Sequence, residues 1–137
     1  MRILGIDSAS QSASVALIED EVLIDEQTWN KHSANARGSD SLGHCAETVI
    51  PLINSLLEKR HLTLADLSAI AVSIGPGSFT GLRVGLATAK GIAYSGGLPL
   101  IGISTLLALA AGVKNFDGIV CSLLDARKND VYMGLFR

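Results

Sequence analysis

The residues best placed to do chemistry are in the glycine-rich run Gly75-Pro76-Gly77-Ser78-Phe79-Thr80-Gly81. The run follows an apolar, strand-like stretch and opens a helical pattern. At such a junction, free N–H groups and the positive end of a helix dipole attract anions. Two nucleotide-binding fingerprints fail to fit. A Walker loop needs a lysine after its last glycine, and here Leu82 follows Gly81. The dinucleotide fingerprint needs its third glycine where Thr80 stands. The residues by themselves favour a tight structural turn over anion contact. Asp7 closes the first strand-like run, where a carboxylate can hold a metal–nucleotide complex or accept turn N–H groups; the second reading is favoured. Asp7, Ser8, Gly75, Gly77 and Ser78 make up the candidate degenerate nucleotide or anion site.

Other reactive side chains form no constellation. His32, His44 and His61 lack a second histidine four residues away, so no helix face carries a two-histidine metal pair. His44 could serve as a single ligand, although a capping or solvated histidine is the commoner case. Cys45 cannot easily pair with His44, since neighbours on a helix point about 100° apart. No Ser-His-Asp or Cys-His arrangement stands out, and no residue is assigned a catalytic or metal-binding role. Asp125-Ala126-Arg127 reads as a turn between strands, shaped by an ion pair or offered to a ligand or partner.

A steric pattern follows the glycine-rich turn. Gly81, Gly85, Ala89 and Ala93 recur every fourth residue and line one helix face, with Leu82, Leu86 and Ile92 on neighbouring rows. A glycine inside a helix costs about 1 kcal/mol relative to alanine. Two on one stripe imply that another backbone comes close. The stripe either lies on the domain's own sheet and first helix or is covered by a partner, and the partner reading is preferred. On that reading Gly85→Leu weakens association and leaves the monomer folded.

The elements that hold these residues follow from periodicity. Arg2–Asp7, Ser12–Ile18 and Val22–Thr28 read as strands of a meander, with an acidic turn at Glu19-Asp20-Glu21. Asn30–Ser41 is polar and reads as a loop. From Ser41 to Arg60 the apolar residues Leu42, Cys45, Ala46, Val49, Ile53, Leu56 and Leu57 recur at helical steps. Pro51 predicts a kink near 47–51 or a later helix start. Leu64–Leu67 reads as a connector or one further helical turn. Ser68–Ile74 reads as a strand buried on both faces, followed by a helix to Ser95 that Gly96-Gly97 stops. Leu98–Ile103 is a short strand, and Ser104 or Thr105 is a suitable N-cap for a helix over Leu106–Gly112. Ile119–Leu124 and Val131–Phe136 complete the list, with a turn across 125–129. The order predicts a mixed α/β fold.

Composition narrows the function classes. The 137 residues are 48% hydrophobic and 18% charged, which predicts one folded domain with a substantial core. Net charge is −2, and the 11 Lys and Arg are scattered, clustering only at Lys59-Arg60 and Arg127-Lys128. A domain that grips nucleic acid unaided usually carries a basic patch, so any RNA contact is expected through a partner. Cys45 and Cys121 sit in apolar contexts and read as reduced core thiols of a cytoplasmic protein. No signal peptide is expected ahead of the first strand. The apolar run Ile101–Val113 is too short and too interrupted by glycine to span a bilayer.

Three segments together resemble the TsaB (YeaZ) family. They are Ile3-Leu4-Gly5-Ile6-Asp7-Ser8-Ala9, the block Gly75 to Gly85 with Ala89-Lys90-Gly91-Ile92-Ala93, and Asp125-Ala126-Arg127 with Val131-Tyr132. The resemblance covers essentially the whole chain, and the second block is its most specific part. It implies an α/β actin-like ATPase (ASKHA, ribonuclease H-like) lobe with a mixed sheet flanked by helices, cut short before most of a second lobe. It further implies an N-terminal lobe over residues 1–103 and the opening of the second over 104–137.

For function, the resemblance implies a non-catalytic partner of TsaD, the subunit that transfers a threonylcarbamoyl group to adenosine 37 of tRNA. TsaE is a further partner, self-pairing is an option, and tRNA is met only through the complex. No cofactor is implied firmly; ATP or ADP belongs only to the assembled complex. The helices matching Ser41–Arg60 and Phe79–Ser95 form the family's dimer surface, which puts Cys45, Val49, Ile53, Gly81, Leu82, Gly85, Leu86, Ala89 and Ala93 at the interface. Asp125, Arg127 and Tyr132 carry a family motif. Departures include Ser8 in place of the usual Thr, His44 one residue early relative to Pro51, and a longer loop at Lys31–Ser41. The histidine pair of TsaD is missing, and nothing here supports the older glycoprotease (M22) label. Competing readings are an autonomous actin-fold ATPase or small-molecule kinase and, further off, a metallopeptidase.

Overall fold

The computed structural model describes the backbone of residues 1–30 and 44–137, and side chains for 1–30 and 48–137. Asn30, expected to open a loop, instead ends a strand; residues 31–41 of that expected loop and the side chains of His32, His44 and Cys45 fall outside the described residues. Three antiparallel strands come first, β1 (Arg2–Asp7), β2 (Ser12–Glu19) and β3 (Val22–Asn30). Helix α1 (His44–Lys59) and a single 3₁₀ turn (Leu64–Asp66) lead into β4 (Ala69–Gly75). Helix α2 (Phe79–Gly96), β5 (Leu100–Ser104) and α3 (Thr105–Ala111) follow, and then β6 (Val120–Arg127) with β7 (Asp130–Phe136).

Five strands form one mixed sheet in the order β3-β2-β1-β4-β5, and β6 with β7 form a separate antiparallel ribbon. Register explains the core. Leu4 sits opposite Leu17 on one side and Ile70 on the other, while Ile6 sits between Val15 and Val72. Strand side chains alternate between faces, so these two rows line a single face of the sheet. Val49, Ile53, Leu56 and Leu57 of α1 and Ala89 and Ala93 of α2 close over that face. Helix α3 packs against the ribbon and against β4 and β5.

Several elements differ from the sequence expectation, each for a physical reason. Helix α1 runs through Pro51, which lies on the exposed side and forgoes one ladder hydrogen bond. Strand β6 continues past Leu124 to Arg127, and the turn is made by Arg127, Lys128 and Asn129, all with positive φ. Asp125 therefore belongs to the strand. Strand β5 begins at Leu100, because Pro99 has no N–H to add to the ladder, although its carbonyl accepts from Ile70. Ser104 is the N-cap of α3 by position but makes no side-chain capping bond. Cys121 is not a core thiol. The pleat points it away from α3, onto the exposed face of the ribbon. No helix of the described residues is long and apolar enough to cross a membrane.

A charge clamp ties the open edge of the sheet to α1. The Asp25 carboxylate, whose side chain is 9% exposed, meets Lys59 Nζ at 2.8 Å and Arg60 Nε at 2.9 Å. Arg60 also donates to the carbonyl of Ile24 at 2.6 Å. Hydrogen bonds from Lys59 and then Arg60 pull the Asp25 carboxyl down to about 2 from its ordinary 3.8. A lowered folded-state pKa stabilises the fold above the unfolded value, and that contribution fades as pH falls toward the folded one. Wild-type melting followed by circular dichroism is thus expected to lose this contribution between about pH 4 and pH 2. Asp25→Asn should melt lower at pH 7 and show a shallower acid decline over that window.

Candidate functional site

The sheet brings the end of β1 against the start of α2, and the glycine-rich turn lies across the join. Gly75 needs its left-handed φ of 107°, which suits a residue without Cβ. A Cβ on Gly77 would collide with the carbonyl oxygen of Ala9, so the turn lies flat on the β1–β2 turn. The N–H of Ser78 donates to that same carbonyl at 2.6 Å. Ser78 Oγ then accepts from the N–H of Gly81 at 3.3 Å, capping the helix from within. Asp7 Oδ1 accepts from the N–H of Ala9 at 3.2 Å. Ser8, 2% exposed, donates through Oγ to the carbonyl of Gly81 at 2.8 Å.

Asp7, Ser8, Gly77 and Ser78 are thus neighbours, as the candidate anion site requires. Their polar groups serve one another. Asp7 behaves as a turn-stabilising carboxylate, and two donors at the α2 N-terminus, the N–H groups of Ser78 and Gly81, point to acceptors within the chain. Among the described residues, no group of three or more His, Cys, Asp or Glu is placed to hold a metal ion.

The small-residue stripe faces inward, which overturns the expectation that a foreign helix must cover it. Gly81, Gly85, Ala89 and Ala93 are the buried residues of α2. A Cβ on Gly81 would collide with the Ser8 carbonyl oxygen, and one on Gly85 with Ser8 Oγ. The backbone that comes close is the chain's own β1 end. Val49 at 0% and Ile53 at 2% exposure also belong to the core, so neither offers surface to a partner. Leu82 and Leu86 are half-buried at the flanks of the stripe. Gly85→Leu would therefore disturb the monomer itself, contrary to the earlier expectation.

The sequence reading missed the opposite face of α2. Phe79, Arg83, Ala87, Lys90, Gly91 and Tyr94 are exposed there, with Phe79 at 69% and Tyr94 at 92%. The Arg83 guanidinium lies 3.9 Å from the centroid of the Phe79 ring. Steps of three and four residues link these positions, so the signal was present in the sequence. The glycine stripe drew the reading to the other side. The third family segment stands apart on the ribbon. Asp125 Oδ1 accepts from the N–H of Arg127 at 2.7 Å, so this carboxylate shapes the turn through backbone contact. Arg127 and Tyr132 are exposed.

The mixed five-stranded sheet, with two helices closing one face and a glycine turn seated on the first hairpin, defines a lobe of the actin-like ATPase class. A family model described as TsaD, tRNA N6-adenosine threonylcarbamoyltransferase, matches residues 41–137. The chain is 36% identical over 138 residues to the tRNA threonylcarbamoyladenosine biosynthesis protein TsaB of Bacillus subtilis, covering 100% of this chain and 56% of that protein. It is 37% identical over 134 residues to TsaB of Escherichia coli, covering 96% and 53%. Among solved structures, YeaZ from Pseudomonas aeruginosa superposes with a TM-score of 0.80 at 26% identity, over 99% of this chain and 60% of that one. Thermus thermophilus RuvC, at a TM-score of 0.50 and 14% identity over 85% of this chain and 73% of its own, shares the fold alone. The chain belongs to the TsaB (YeaZ) family. It spans about half the length of the curated relatives it matches.

The inward stripe makes a stability prediction. Gly81→Ala and Gly85→Leu should each destabilise the monomer by about 1–3 kcal/mol or more through overpacking against Ser8. Gly91→Ala, where an added Cβ meets nothing within 4 Å, should stabilise it by about 0.5–1 kcal/mol through helix propensity. Denaturant melts of the three variants check both signs.

Proposed function

We propose that this chain is the leading part of a non-catalytic partner subunit in the synthesis of threonylcarbamoyladenosine on tRNA. It pairs with TsaD, which carries the transfer chemistry, with TsaE as a further member of the system. The relatives named above carry that pathway in their names, and the matching family model is that of the transferase.

One observation carries the non-catalytic reading. Three polar groups of the candidate anion site already have partners within the chain. Asp7 accepts from Ala9, the N–H of Ser78 donates to the Ala9 carbonyl, and the N–H of Gly81 is capped by Ser78 Oγ. Phosphate binding at a helix start relies on N–H groups left open for the ligand. Here two of them are spoken for, and the carboxylate that could orient a metal–nucleotide complex is held in a turn. The reading supports a scaffold role, with nucleotide bound, if at all, once the complex has formed.

The test is a tRNA modification assay with purified TsaD and TsaE, in the presence and absence of the full-length protein. Modification is expected to require this protein, which should co-purify with TsaD and should not turn over ATP alone. ATP turnover by the isolated full-length protein at micromolar substrate would instead assign it to the actin-fold ATPases or kinases.

A further inference from the structure

We draw no further inference here: the strongest candidate, the exposed apolar face of the β6–β7 ribbon formed by Cys121, Leu123, Val131, Met133 and Leu135, carries nothing because nothing in the structure shows what covers it.

Discussion

The fold turns on the contact between the end of β1 and the first two turns of α2. Ser8 donates its hydroxyl to the carbonyl of Gly81, and the missing side chains of Gly81 and Gly85 let the helix backbone settle onto that serine. Interiors are packed too tightly to absorb an extra methyl at such a point without strain. The contact fixes where α2 lies over β1 and β4. That placement aims Ala89 and Ala93 into the core beside Val49 and Ile53. The glycines' helix-propensity cost, about 1 kcal/mol each, is offset by the burial this approach allows.

The same contact decides what the strand ends can do. Once the glycine turn lies on Ala9, the N–H of Ser78 and the carboxylate of Asp7 already have partners within the chain. The glycine turn is thereby a structural joint between the first hairpin and α2. Surface chemistry moves to the other side of α2, where aromatic and cationic side chains stand in solvent. The two sides of this helix differ: one builds the lobe, and the other is exposed.

Much of the architecture could be read from the residues. The period-two runs at Arg2–Asp7 and Ser12–Ile18, the continuous apolar run ending at Gly75, and the glycine stop after Ser95 all became the elements expected of them. Errors arose where local signals met a tertiary context. Cys121 lies in an apolar stretch and was expected inside. Strand pleat in a ribbon covered on one face by α3 leaves it outside. Asp125 was placed in a turn, while the positive-φ residues that make the turn begin two positions later.

Taken alone, the sequence determined which residues share a face, which segments are strands or helices, and to which family the motifs point. Periodicity is a local property, and a side chain's position around a helix follows from counting along the chain. Which face of α2 turns inward was decided only by the tertiary structure. That choice depends on Ser8 meeting Gly81 and Gly85 across a separation of 73 residues in the first case. No local pattern encodes such a meeting, because a stripe of small residues is equally consistent with a neighbour from within the chain and one from outside it. Pairing β1 with β4 placed the serine beneath the glycines, and that pairing assigned the outer face to solvent.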